Sequence, residues 1–128
     1  MQEVYRYIEE CDNIVIASPI YYQELTGQML NIGSRFQTYF CAEYFRKEKP
    51  IKKEKKGAVI LVGGGNGKVE KACDTACDLL RHIHCSRIHD LVLSHNTDTL
   101  PAAEDAEAVM GVQDIARFFN ERQPAMPT

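Results

Sequence analysis

Two unbroken apolar runs constrain what this chain can fold into more than any other feature of its sequence. They are Ile14-Val15-Ile16-Ala17 and Ala58-Val59-Ile60-Leu61-Val62, and both have the length of a buried β-strand. Strands without polar alternation are typical of parallel sheets that helices cover on both faces. The sequence therefore predicts an α/β fold with a parallel sheet that contains both runs.

Amphipathic segments alternate with the strands along the chain. A third strand is expected from Ile88 to Leu93. Helical spacing of apolar residues predicts four helices, over residues 1–11, 29–40 and 69–83 and from Pro101 to Phe118. The order α-β-α-β-α-β-α implies right-handed crossovers between parallel strands. Because neither a repeat nor a linker interrupts this order, residues 1–128 are expected to form one domain.

The charge balance and the cysteine content exclude several classes of function. Fifteen Lys and Arg against eighteen Asp and Glu give a net charge of −3, so no general basic field is present to hold a nucleic acid. No apolar stretch reaches the roughly 20 residues of a membrane-spanning helix. The first residues do not resemble a signal sequence, and five cysteines, an odd number, indicate reduced thiols. We expect a cytoplasmic protein that binds neither nucleic acid nor membranes.

The loop after the first strand carries the most specific motif. Ser18-Pro19-Ile20-Tyr21-Tyr22 is followed by Leu25-Thr26-Gly27-Gln28 and by Arg35. This pattern resembles the stretch SPxY(F/Y)…(S/T)GQ…R of the NADPH-dependent FMN reductase and iron-sulfur flavoprotein families. The run Gly63–Gly67 after the second strand matches the glycine-rich loop that these families place beside the flavin ring.

The resemblance implies a flavodoxin-like fold with three layers, αβα. In that fold the strands follow the order 2-1-3-4-5, and the ligand crevice lies between strands one and three. The strands of this sequence correspond to strands three to five, which makes the parallel sheet truncated. The first strand and its loop, which hold the FMN phosphate at a helix N-terminus, have no counterpart in the sequence. We therefore expect this chain alone to bind FMN weakly or not at all.

The activity implied by the resemblance is that of an FMN-dependent NAD(P)H oxidoreductase, in which hydride passes from a nicotinamide nucleotide to the flavin. The cofactor does the chemistry, so no catalytic side chain is predicted. None of the cysteines has the spacing of iron–sulfur ligands, and no cluster is expected. The competing hypothesis is a non-catalytic module that folds or functions by self-association or with a partner chain.

The resemblance places the cofactor site in the two loops. Backbone N–H groups of both loops are expected to bind the edge of the flavin, because glycine lets the main chain approach closely, and Tyr21 or Tyr22 is expected to cover the ring. The alternative is that Pro19 and the tyrosines end a strand and that the glycine run is only a flexible turn. The candidate cofactor-binding residues are Ser18, Pro19, Ile20, Tyr21, Tyr22, Gly64, Gly65 and Asn66.

Two clusters of possible metal ligands have structural interpretations. Imidazole and thiolate side chains suggest zinc, but ligands two residues apart at the end of a helix point to different sides, which argues against a metal site. This cluster consists of His82, His84 and Cys85, with His89 nearby. Cys73 and Cys77 are interpreted as buried small hydrophobes rather than a redox pair.

A basic segment and an unprotected strand suggest contacts with other molecules. Arg46–Lys56 holds seven cations and two glutamates, a local charge of +5, and is either a solvated connecting loop or an attractor for NADPH phosphates or an acidic partner. The resemblance implies that the strand Ile14–Ala17, central in the complete sheet, lacks a neighbour on one side here, and the strand carries no Lys, Pro or inward charge. We expect a homo-oligomer, or a complex with a partner chain, that forms at this strand or at the helix before it.

Overall fold

The computed structural model describes residues 2–65 and 67–121 of the chain, in which helices and strands alternate. The helices are α1 (Gln2–Glu10), α2 (Gly27–Ser34), α3 (Gln37–Tyr44), α4 (Glu70–His82) and α5 (Ala106–Asn120), with a short 3₁₀ helix at Ala102–Glu104. The strands are β1 (Asn13–Pro19), β2 (Lys55–Val62), β3 (Cys85–Ile88) and β4 (Val92–Ser94). No helix among these described residues is long and apolar enough to cross a membrane.

All four strands are parallel, and β2 lies in the middle of the sheet. It pairs with β1 along its length, from Asn13 opposite Lys56 to Pro19 opposite Val62. On its other side β2 pairs with β3 near its start and with β4 near its end. The predicted third strand is therefore two segments that share one position in the sheet. Among the described residues, the outer edge of β1 has no partner strand.

Helices cover the two faces of the sheet unequally. On one face α1 to α4 enclose the main core, which includes Ile8, Ile16, Tyr39, Leu61, Ala76 and Leu80. On the other face α5 is the one helix of the described residues that packs on the sheet, through Ala58, Val92, Ala108 and Ile115. The predicted three-layer αβα arrangement is confirmed. The helical layer on the second face, formed by α5, is thinner than the layer formed by α1 to α4.

The inward side of α5 differs from the predicted one. The apolar pattern of the last helix includes Val109 and Met110 and predicts that both face the core, but they are 39% and 62% exposed. At Gly111 an added Cβ would lie 2.9 Å from a methyl carbon of Val92. Because the helix approaches the sheet closely at this glycine, Ile115 is buried while Val109 and Met110 lie outside.

The single helix predicted over 29–40 is also wrong, because the chain bends between α2 and α3. The N–H of Arg35 donates to the carbonyl of Ile32, and the N–H of Phe36 donates to that of Gly33, both in the tighter i→i−3 pattern. The bend places Phe36 and Tyr39 in the core, where they are 4% and 1% exposed.

The end of the basic segment is buried, contrary to its interpretation as a solvated loop. Lys55 and Lys56 begin β2 and are 0% and 4% exposed. Because successive strand residues face opposite sides of a sheet, Lys55 Nζ donates to the carbonyl of Cys11 at the end of α1. Lys56 Nζ donates at 2.7 Å to each of the carbonyls of Phe118 and Glu121 at the end of α5. Each ammonium group thus satisfies carbonyls that a helix C-terminus leaves unpaired.

Candidate functional site

The loops that follow β1, β2 and β4 meet at one edge of the sheet. Hydrogen bonds extend the strand pairing into these loops: the N–H of Ile20 donates to Val62 O and the N–H of Gly63 to Ser94 O, both at 2.9 Å. The N–H of Thr97 donates to Gly63 O at 3.1 Å. The carboxyl ends of parallel strands are where open α/β sheets bind ligands, and here the three loops form one connected surface.

The loop after β1 contains a tight two-residue turn. Tyr21 and Glu24 exchange two backbone hydrogen bonds of 3.0 and 3.1 Å. Between them Tyr22 and Gln23 both have left-handed backbones, with φ of 52° and 64°, the conformation of a type I′ turn, which strongly favours Asn and Gly. Tyr22 is fully exposed at the tip of this turn, and Tyr21 is also exposed. Neither ring covers the glycine-rich loop in this structure.

Ser18 stabilises the base of the same loop. Its side chain is buried, and its Oγ donates to Pro19 O at 2.7 Å and accepts from the N–H of Thr26 at 3.3 Å. Thr26 in turn caps α2, since its Oγ1 accepts from the N–H of Met29. Ser18 therefore closes the loop and has no free group for a ligand.

The glycine-rich loop is braced from one side and open on the other. Gly65 O accepts from the N–H of Asn96 at 3.1 Å, and a Cβ on Gly64 would lie 3.0 Å from a carboxylate oxygen of Asp98. At Gly65 an added Cβ would have no neighbour within 4 Å. The hydrogen bonds among the described residues include none from the N–H of Gly64 or Gly65. These two donors are available to a ligand, whereas Asn66 lies outside the described residues.

A groove of about 230 Å³ lies between the two loops. It is lined by Ile20, Gln23, Gly63, Gly64, Gly65, Gly67, Lys68 and His95. The structure thus brings three of the candidate residues together: Ile20, Gly64 and Gly65. The sequence reasoning missed Lys68 and His95, although both follow the strand ends that it singled out. The available signal was a basic residue, Lys68, directly after the glycine-rich loop.

Three further candidates line a second groove on the other side of the first loop, whereas Tyr22 lines neither groove. This groove, of about 720 Å³, runs along the open edge of β1 and includes Ser18, Pro19 and Tyr21. The expectation that the main chain at 20–22 donates to a ligand is largely wrong, because the N–H groups of Ile20 and Tyr21 bond to Val62 O and Glu24 O.

The histidine cluster at the end of α4 and the basic segment lie at the opposite edge of the sheet. His84 has a left-handed backbone after α4, and its Nε2 lies 2.5 Å from a carboxylate oxygen of Glu43. Nowhere in the described parts of the chain do three His, Cys, Asp or Glu side chains converge as metal ligands do.

The basic segment also lies at the edge of the sheet opposite the groove. It ends where β2 begins, at Lys55, and the eight residues of β2 span roughly 25 Å to the glycine-rich loop. Its interpretation as an attractor for nucleotide phosphates at the site is therefore wrong.

The cysteine side chains sit in environments that suppress their reactivity. Burial, together with the nearby Cys11, raises the pKa of the Cys85 thiol to about 12. Burial and the neighbouring Cys77 raise the pKa of Cys73 to about 11. Because the thiolate is the reactive form, neither residue is a nucleophile near neutral pH, which for Cys73 agrees with its interpretation as a small hydrophobe.

Comparisons with known proteins point to one family. A family model described as NADPH-dependent FMN reductase matches residues 1–99. An iron-sulfur flavoprotein of Archaeoglobus fulgidus is 37% identical over 71 residues, which make up 56% of this chain and 29% of that protein.

Solved structures share the fold at low sequence identity. A flavone reductase superposes with a TM-score of 0.66 at 18% identity, covering 94% of this chain and 46% of its own. An NADPH-quinone reductase from P. pentosaceus gives 0.59 at 13% identity, with coverages of 88% and 72%. This chain thus spans less than half the length of the flavoprotein and of the flavone reductase. Because the family model covers most of the chain, including both loops of the groove, the chain belongs to the NADPH-dependent FMN reductase family and has the flavodoxin-like fold.

Proposed function

We propose that this chain forms the part of an FMN-dependent NAD(P)H oxidoreductase that contacts the flavin ring. The observation that carries the proposal is the groove between Ile20 and the glycine-rich loop, where the two family motifs meet. The chain has two backbone donors there, on Gly64 and Gly65, that the described residues leave unpaired. Gly65 also has open space around it, so a flat ring can approach the main chain closely.

The residues of the groove suit a flavin ring in distinct ways. The N–H groups of Gly64 and Gly65 donate to the oxygen-bearing edge of the ring, and Ile20 provides an apolar contact. Lys68 and His95 lie along the same groove and favour negative charge. When bound, FMN supplies the redox chemistry, taking a hydride from NAD(P)H and passing electrons to an acceptor.

The affinity of this chain for FMN is proposed to be weak. A phosphate group is usually anchored by several charge-assisted hydrogen bonds at a helix N-terminus. In the first loop most of the N–H groups are already used within the chain. The crevice beside β1 has a wall on one side only among the described residues, and the second wall must come from elsewhere.

A titration of FMN, followed by flavin fluorescence, tests this proposal. We expect saturable binding with a dissociation constant weaker than micromolar; sub-micromolar affinity for the monomer contradicts the proposed weakness. Gly65→Val should weaken binding several-fold without loss of stability, since nothing lies within 4 Å of the added Cβ. His82→Ala at the far edge of the sheet is the control. Equal losses in the Gly65 and His82 variants would show that the groove is not the flavin site.

A non-catalytic module is the second candidate, and the open edge of β1 favours it. In that case the family motifs persist for folding, and the chain functions by pairing with another copy or another protein. Purified protein that stays colourless and does not change flavin fluorescence at any FMN concentration would support this candidate over the first.

A further inference from the structure

Glu24 connects the turn after β1 to α4 through more contacts than any neighbouring residue makes. Its side chain is only 17% exposed. One carboxylate oxygen accepts from the N–H of Leu25 at 2.9 Å, and the other accepts from Thr75 Oγ1 at 3.1 Å, with Lys71 Nζ 4.0 Å away. Its own N–H and carbonyl both bond to Tyr21.

These contacts join the two sides of the groove. Tyr21 and Gln23 belong to the turn on one side, whereas Lys71 and Thr75 lie in the first two turns of α4, directly after the glycine-rich loop. The turn is strained, because two residues that are not glycine have positive φ. Held only by its own backbone, such a turn relaxes readily, so the link to α4 is needed to keep it in place.

We infer that Glu24 is a positioning residue that sets the distance between the turn and the glycine-rich loop, and so holds the groove in the shape that binds the flavin ring. This inference rests on the proposed function. Glu24 does not line the groove; it acts through the turn. Its effect is therefore expected on affinity for the ring and not on the chemistry of the cofactor.

A conservative substitution distinguishes a positioning role of Glu24 from an effect of its negative charge alone. In Glu24→Gln the amide oxygen can accept from the N–H of Leu25, and the amide nitrogen can donate to Thr75 Oγ1. The Thr75 hydroxyl proton, which is no longer donated to residue 24, is then directed to Lys71 O, which lies 3.0 Å away. All hydrogen bonds of the link are thus retained, whereas Glu24→Ala removes both and Thr75→Val removes only the contact with α4.

The experiment compares these variants with Asp78→Ala, which removes an exposed acid that pairs with Arg81 further along α4. Binding of FMN is measured by titration with ¹⁵N-labelled protein, and unfolding midpoints are measured in parallel. We expect Glu24→Ala to bind FMN about tenfold more weakly, Thr75→Val to lie between it and the wild type, and Glu24→Gln and Asp78→Ala to bind like the wild type. Glu24→Ala that binds FMN normally, or Glu24→Gln that binds as weakly as Glu24→Ala, overturns the inference.

If the proposed function is wrong, the FMN titration of the wild type itself shows it, and this outcome differs from a failure of the inference about Glu24. If FMN shifts no amide signal in the wild type, the flavin proposal fails, and hydrogen exchange of the free protein then decides about Glu24. We expect Glu24→Ala to expose the amides of Tyr21, Glu24 and Leu25 to faster exchange, with no change in Asp78→Ala. Unaltered protection of these amides would show that Glu24 does not hold the turn.

Discussion

At the scale of single residues, burial fixes the protonation of several side chains. Cys85 is 3% exposed and lies against Gly57, where an added Cβ would be 3.1 Å from its sulfur. Desolvation disfavours the thiolate, so the folded chain keeps the proton of Cys85 at pH values where an unfolded chain loses it. Burial likewise raises the pKa of the Tyr39 hydroxyl, which donates to Tyr5 O at 3.3 Å.

We therefore predict that the protein loses stability in alkaline solution. The pKa of Cys85 rises from 9.0 to about 12 on folding, so its contribution is complete below pH 9 and is lost as the pH approaches 12. From pH 8 to pH 10 the loss amounts to about 1 kcal/mol for this thiol. Urea unfolding at the two pH values measures it, and Cys85→Ala should show a shallower dependence on pH. Parallel slopes for the two proteins would rule out this thiol as the cause.

At the scale of elements, buried lysines fasten the ends of two helices to the start of β2. Lys56 is the clearer case, because its ammonium group bonds to two carbonyls of α5 and also lies 5.2 Å from the centre of the Phe118 ring. Since α5 is the only helix on its face of the sheet among the described residues, its last turn depends on this contact.

Lys56→Met tests that dependence while keeping most of the side-chain volume. Removal of the donor takes away one hydrogen bond of Phe118 O, which keeps the N–H of Glu121 as a partner, and the described partner of Glu121 O, at a cost of about 1–3 kcal/mol in unfolding free energy. Amides in the last turn of α5 should also exchange faster. Lys52→Met, at an exposed position of the connecting segment, is the matched control. Equal stability of the two variants would contradict the role given to Lys56.

The order of elements and the main site loops were predictable, whereas details that depend on tertiary contacts were not. Apolar spacing indicated the helices and strands because each buries one stripe or one run. The bend between α2 and α3 depends on the close approach of Leu79 to Gly33, which no local pattern shows. A run of lysines normally indicates a solvent-exposed segment. The burial of Lys55 and Lys56 could therefore be inferred only once the helix ends beside them were known. The use of the Ile20 and Tyr21 amides within the chain likewise depends on the turn.

At the scale of the whole molecule, the surface beside β1 is unusually apolar. Val15 is 42% exposed on the face that α5 leaves uncovered, and Val109 and Val112 of α5 are exposed on the same face at 39% and 44%. The neighbouring edge of β1 presents unpaired backbone groups among the described residues, and such edges pair readily with other chains. Apolar patches of this kind mark interfaces.

We predict that the protein associates through β1 as a homodimer or larger assembly. Val15→Lys should shift it toward monomer, because the new charge lies on the uncovered face, where the folded protomer tolerates it. Light scattering coupled to size exclusion at low micromolar concentration measures the mass, and circular dichroism verifies the fold. Leu100→Lys, a similarly exposed apolar position in a loop, is the control. A wild type that is folded and strictly monomeric would overturn this prediction.

Lys55 and Lys56 face opposite sides of the sheet, and this arrangement also limits where the chain can accept inserted residues. Residues 45–54 connect α3 to β2 without helix or strand, but Ile51 among them is 2% exposed and belongs to the main core, so only insertions before Ile51 alter a mere surface connection. One extra residue between Lys56 and Ala58 would reverse every later side chain of β2 with respect to the two lysines. Either ammonium group would then face the wrong helix end, or Val59 and Leu61 would leave the main core. Variation in loop length is therefore expected between α3 and Ile51 and excluded from Lys55 onward.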